Sequence, residues 1–154
     1  MWHKGTGIIQ YDPPRGRMKK KVDWWCVINV DREITRYYRW WVEKELHVKG
    51  LCPPSWDAHV SVVRGSNDIV SFDRDLIQDG KPDRYKLWKK YNSEKVEFWY
   101  EHNPQQAPQR PHRQDEEGTF WHVEVQCPRG TEIRKELGLK HDWPLHLTFG
   151  RTWF

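Results

Sequence analysis

The sequence lacks any long run of apolar residues, and no stretch approaches the roughly 20 that a helix needs to span a bilayer. Its 154 residues are 36% hydrophobic and 31% charged, which excludes membrane-spanning, collagen-like and disordered chains. The first residues, Met1 to Lys4, do not have the pattern of a secretory signal. We therefore expect a single domain over residues 1–154, located in the cytoplasm, without a membrane partner.

Cysteine is scarce, and neither cysteine nor histidine follows a metal-binding spacing. The three cysteines, Cys26, Cys52 and Cys127, contain no CxxC pair, so a disulfide framework or a zinc ribbon is not indicated. The eight histidines include no HExxH motif and no pair at i, i+4. We expect no metal and no cofactor.

Tryptophan is abundant, with eleven residues, while the net charge is only +4. A core needs a few large rings, so this surplus suggests that some of them stack on a ligand. The only dense run of positive charge lies within residues 15–21. Such a run is usually a solvated loop, and its alternative role is attraction of a phosphate-bearing ligand.

Hydrophobic alternation and helical spacing predict a mixture of strands and helices. The helices are expected at about 32–46, capped by Asp31, and at 132–137, capped by Thr131. The first helix has an apolar stripe of Ile34, Tyr37, Tyr38, Trp41 and Val42. Residues 103–118 read as a long exposed loop. Strands are predicted at 7–11, 24–30, 58–64, 96–100, 120–127 and 145–149.

The two halves of the chain, about 1–80 and 81–154, share an order of elements. Each contains a strand, a helix and a strand, and each of these final strands carries the pattern H-x-[S/T]-x-x-R. The pattern occurs at His59–Arg64 and at His146–Arg151. This is a weak internal repeat at the level of elements.

The two tripeptides place an imidazole and a hydroxyl on one face of each strand, because residues two apart point the same way. His59 therefore projects with Ser61, and His146 with Thr148. Such a set suits cleavage of a phosphodiester without metal. One neutral histidine accepts a proton, the other donates one to the leaving oxygen, and the hydroxyls bind the phosphoryl oxygens.

These motifs resemble those of the 2H phosphoesterases, the LigT-like or cyclic phosphodiesterase superfamily, over residues 24 to 151. The resemblance implies a bilobal, pseudo-twofold α+β fold, in which two antiparallel sheets form a central cleft and helices lie outside. It assigns catalysis to His59, Ser61, His146 and Thr148. It also implies metal-independent hydrolysis of small nucleotide phosphodiesters.

The expected partner is a cyclic or 2′-5′-linked nucleotide, and most of all a cyclic di- or oligonucleotide immune signal. A compact, Trp-rich chain with this motif pair looks like a phage-encoded, immune-evading member that acts in the host cytoplasm. The alternatives are a phosphodiesterase for 2′,3′-cyclic phosphates or 2′-5′ RNA ends, and a non-catalytic nucleotide- or RNA-binding module. The charge lacks the broad basic face that long nucleic acid requires, and we expect a monomer.

Further residues are candidates for binding substrate near the histidines. Strand parity adds His122 and Glu124, while Trp40, Trp41 and Trp56 have the spacing of core or helix-packing residues. Arg64 and Arg151 lie five residues after the histidines, so in a regular strand they would point away from the histidine side. They could still contact a phosphate where the strand ends, or cap the sheet edge. Stacking on bases is suggested for Tyr11, Trp25, Trp99 and Trp153.

Overall fold

The computed structural model describes residues 1–13, 25–54, 58–64, 68, 90–108, 118–142 and 144–153. The basic run at 15–21 and Trp56 lie outside these residues. The elements are β1 (Trp2–Tyr11), β2 (Trp25–Asn29), α1 (Arg32–Glu45), β3 (His59–Arg64), β4 (Lys95–Glu101), β5 (Gln105–Pro108), β6 (Gly118–Gln126), α2 (Pro128–Glu136) and β7 (Leu145–Trp153).

Six strands close into one antiparallel ring in the order β1-β2-β3-β7-β6-β4, and β5 adds to the outer edge of β6. The ring closes because β4 is hydrogen-bonded both to β1 and to β6. The expected bilobal α+β fold, with two separate sheets around a cleft, is therefore wrong. The described part of the chain is a mostly β protein with a closed barrel and two helices.

The strand pairing keeps the same pattern when the two halves of the chain are exchanged. β1, β2 and β3 correspond to β4, β6 and β7, and the halves meet at the β1–β4 and β3–β7 seams. The helices cross over: Tyr38 of α1 packs on Phe149 of β7, with ring centroids 5.3 Å apart. In the same way, Arg134 of α2 reaches Val62 of β3.

Helix α1 begins as expected after Asp31, whose side chain accepts a hydrogen bond from the Glu33 backbone N–H at 2.9 Å. Its packing stripe is narrower than the periodicity suggested. Tyr38 and Val42 are buried, but Tyr37 is 49% exposed and Trp40 is 53% exposed. The expectation of core positions for Tyr37 and Trp40 is wrong, because the helix meets the barrel along one line of residues.

Helix α2 begins at Pro128, three residues before the expected cap at Thr131. The Cys127 thiol takes the cap position and accepts from the Gly130 N–H at 3.4 Å. Proline is favoured in a first helical turn, where its missing N–H has no helical partner to lose. The expected loop at 103–118 contains the edge strand Gln105–Pro108, so the loop prediction was also wrong in part.

One face of the strands and the two helices share an apolar core. Its fully buried members include Ile9, Ile28, Val60, Phe98 and Leu147. Because side chains alternate along a strand, the other residues of these strands lie on the opposite side, away from the apolar core. No helix within the described residues is long and apolar enough to cross a membrane.

Candidate functional site

The two motifs meet at the seam between β3 and β7, where Val60 pairs with Leu147. Extending this antiparallel register by one residue on each side puts His59 opposite Thr148, and Ser61 opposite His146. All four project from the side away from the apolar core, and we call this side the histidine face. Diagonal neighbours in a sheet are about 7–8 Å apart. The two imidazoles therefore lie within reach of one phosphate group.

Trp25 of β2 contacts both groups of the first motif. Its ring meets the His59 ring edge-on, with centroids 5.3 Å apart and planes at 87°. Its indole Nε1–H donates to the Ser61 hydroxyl oxygen at 3.3 Å. The Trp25 side chain is buried, which leaves little of its ring for the stacking on bases that the sequence suggested. Trp25 fixes the orientation of His59 and Ser61.

Strand β6 brings a third imidazole and a carboxylate next to the second motif. His122 lies opposite Thr148, and Glu124 lies opposite His146. The rings of His122 and His146 are 5.3 Å apart and tilted by 56°. The parity prediction for these two β6 residues agrees with this placement.

Electrostatics favour the neutral form of His146 and of His122. Burial, together with the smaller effects of the neighbouring His122 and Arg64, lowers the pKa of His146 to about 4. Burial also lowers the pKa of His122, while the Glu124 carboxylate opposes that shift. Charging His146 would cost desolvation and repulsion, and charging His122 would cost desolvation. At neutral pH His146 is therefore unprotonated and able to accept a proton.

A β-bulge follows the hydroxyl residue of each motif. Between β2 and β3, Cys26 pairs with Val63 and Val27 with Ser61, so Val62 is an extra residue. Between β6 and β7, Phe149 is extra in the same way, because the pairing skips from Thr148 to Gly150. A bulge of one residue reverses the alternation of side chains beyond it.

This reversal places the two motif arginines on the histidine face. Arg64 pairs with Trp25, and Arg151 pairs with Phe120, both of which lie on that face. The effect of Arg64 on the pKa of His146 agrees with this position. The parity expected for a regular strand was wrong at these two arginines, because neither bulge was foreseen. Each arginine follows its motif histidine by five residues, and this shared spacing was the signal in the sequence that the two have equivalent positions.

The other predicted ligand residues are spread more widely. Tyr11 pairs with Cys26 and is buried in the apolar core, on the side away from the histidines. Trp99 pairs with Gln126 of β6 and is separated from the motifs by that strand. Trp153 is the last residue of β7 and pairs with Gly118; its side chain lies outside what the structure describes.

Sequence reasoning missed two polar neighbours of the first motif. Asn29 pairs with His59, and its side-chain amide donates to the Gln10 side-chain oxygen at 2.6 Å. Alternation along β2 could have indicated Asn29, since it shares a face with Trp25. Among the described residues, no group of three or more His, Cys, Asp or Glu side chains could hold a metal ion.

No protein-family model, curated protein or solved structure matches this chain.

Proposed function

We propose that the protein is a metal-independent phosphodiesterase that hydrolyses small nucleotide phosphodiesters at the histidine face. The observation that carries this proposal is the crossed arrangement at the β3–β7 seam, in which each histidine lies beside the hydroxyl of the other motif. Two imidazoles and two hydroxyls are then directed at a single phosphate, the set required for proton transfer at both the entering and the leaving oxygen.

In this mechanism His146 is the general base, because its low pKa keeps it neutral. It takes a proton from water as the water oxygen bonds to phosphorus. His59, in its protonated form, gives a proton to the leaving ribose oxygen as that P–O bond breaks. The hydroxyls of Ser61 and Thr148 donate to the non-bridging oxygens, where negative charge increases. A bound phosphate raises the pKa of His146, which makes it a stronger base in the complex.

The two arginines favour a substrate with more than one phosphate. Arg64 lies beyond Ser61 on β3 and Arg151 beyond Thr148 on β7, so in an antiparallel pair they flank the four motif residues at opposite ends. A guanidinium binds phosphate oxygens in a bidentate manner. This supports a cyclic di- or oligonucleotide, of the kind used as immune signals, over a 2′,3′-cyclic mononucleotide, which has a single phosphate.

A chromatographic screen tests the proposal. Purified protein is incubated with cyclic dinucleotides, cyclic oligoadenylates, 2′,3′-cyclic AMP and 2′-5′-linked adenylates, with and without EDTA. We expect turnover that survives EDTA and falls by about 10²–10⁴-fold in His59→Ala and in His146→Ala. His47→Asn, at an exposed position after α1, is the control and keeps full activity.

Two results would contradict the proposal. Turnover unaffected by both replacements would show that the motifs are not catalytic. Binding of a nucleotide without any turnover would instead support the non-catalytic binding module.

A further inference from the structure

Each bulge is held by an arginine that comes from the helix of the other half. Arg134 of α2 donates through Nη1 to the carbonyl of Val62 at 2.6 Å. Arg39 of α1 donates through Nη1 to the carbonyl of Phe149 at 2.8 Å. Val62 and Phe149 are the two extra residues of the bulges, and both are fully buried. The same contact thus occurs twice, with the halves exchanged.

A bulged residue needs such a partner because it leaves the ladder of backbone hydrogen bonds. A buried carbonyl without a donor is unfavourable, and a charged guanidinium is a strong one. If a bulge relaxed to regular pairing, the strand beyond it would turn over. The arginine that follows would then point to the apolar core and leave the histidine face.

The contact at Val62 extends directly to Arg64. Asp68 accepts from Arg134 Nη1 at 2.9 Å and from Nη2 at 3.2 Å. The same carboxylate accepts from the backbone N–H of Arg64 at 2.7 Å and from its Nη2 at 3.4 Å. Asp68 and Arg134 are only 3% and 2% exposed. Arg134 therefore contacts the bulged residue Val62 directly and Arg64 through Asp68.

We propose that Arg39 and Arg134 are positioning residues that keep Arg151 and Arg64 on the histidine face, where these two arginines bind phosphate groups next to the one that is cleaved. The ligand chemistry in this inference rests on the proposed function. The geometric part, in which a helix arginine fixes a bulge and the bulge directs a second arginine, rests on the contacts alone.

Binding of inorganic pyrophosphate is the test, because this probe carries two phosphate groups and requires no turnover. Its dissociation constant is measured by NMR from the ring resonances of His59 and His146. We expect Arg39→Met to weaken binding about 10-fold. Arg36→Met is the matched control, because Arg36 lies one turn before and makes only an exposed ion pair with Glu33 among its described contacts. We expect its binding to remain as in the wild type.

A double-mutant cycle separates positioning from a general loss of structure. If Arg39 acts through Arg151, then Arg39→Met causes no further loss of affinity once Arg151→Met is present. In the Arg64→Met background, which affects the other bulge, Arg39→Met should still cause its full loss of affinity for pyrophosphate. Equal losses in both backgrounds would overturn the inference. So would an Arg39→Met protein that binds like Arg36→Met, or a wild-type protein that does not bind pyrophosphate.

The two proposals can fail separately. Absence of turnover with intact coupling between Arg39 and Arg151 would contradict the phosphodiesterase and leave the positioning role standing. Turnover that depends on His59 and His146, without coupling between Arg39 and Arg151, would support the phosphodiesterase and contradict the positioning role. Arg134→Met removes a buried ion pair and is expected to destabilise the whole fold as well as the bulge, so the Arg39 variants decide the outcome.

Discussion

Ser61 lies directly opposite His146 across the β3–β7 seam, one residue from the Val60–Leu147 pair that joins the two halves. Because His59 faces Thr148 in the same way, each histidine lies opposite the hydroxyl residue of the other motif across this seam. Neither half of the chain contains a complete site. The site exists only where the third strand of each half pairs with that of the other, and both helices strengthen this seam by packing across it.

Trp25→Phe tests whether the indole N–H orients the first motif. Phenylalanine keeps an aromatic ring against His59 but cannot donate to the Ser61 oxygen, a contact of 3.3 Å in this structure. One such hydrogen bond contributes about 1 kcal/mol. We expect kcat to fall about fivefold with little change in KM, measured by steady-state kinetics on the best substrate of the screen.

Trp40→Phe is the control for this change, because Trp40 is exposed on α1. Equal kinetics in the two variants would show that the contact between Trp25 and Ser61 has no role in orientation.

Six of the seven described strands, and the residues that share a face in them, were predictable from local pattern, while the strand Gln105–Pro108 was expected to be a loop. Alternation in 120–127 put His122 and Glu124 on the side away from Trp121 and Val123, and the pairing with β7 agrees. The cap at Asp31 was equally local. Each of these features depends on residues that are close in sequence, so a short segment contains all the information needed to predict it.

The closure of the barrel and the two bulges were not predictable in this way. Closure depends on the pairing of β4 with β1 and with β6, and nothing in the composition of either partner specifies these pairings. The bulge at Val62 depends on Arg134, which lies 72 residues away. The missed bulges led directly to the wrong parity for Arg64 and Arg151.

The depressed pKa of His146 predicts a dependence of stability on pH. Its folded pKa is about 4 against about 6.5 when unfolded, so between these values the unfolded chain binds more protons. Stability therefore falls as pH decreases through this range. Because His146 is exposed as a whole residue, so that solvent screens these charges, we expect only about 1 kcal/mol of this loss to come from it.

Urea unfolding at pH 7 and pH 4.5 measures the effect. His146→Gln should lose less stability than the wild type between the two pH values, and the control His47→Gln should behave as the wild type. An unchanged pH dependence in His146→Gln would show that this ring titrates normally.

Gly150→Ala should destabilise the protein, because β7 approaches Leu51 closely at this point. A Cβ at Gly150 would lie 2.6 Å from Leu51 Cγ. Such overpacking in a core costs about 1–3 kcal/mol. The melting temperature of Gly150→Ala should decrease, and adding Leu51→Val should recover part of the loss.

Gly130→Ala is the control for overpacking, since its nearest side-chain atom is 3.2 Å away at the flexible end of Leu145. A Gly150→Ala protein as stable as Gly130→Ala would contradict the close packing of β7 on Leu51.

The buried pair of Asp68 and Arg134 should give strongly non-additive losses of stability. Removing one partner leaves a charge in a site where both side chains are 2% exposed, and such a loss costs about 3–5 kcal/mol. We expect Asp68→Asn and Arg134→Met each to lower the free energy of unfolding by about this amount. The double variant has no uncompensated charge, so it should lose clearly less than the sum. Urea denaturation of all three proteins measures the coupling, and additive losses would show that the two charges do not depend on each other.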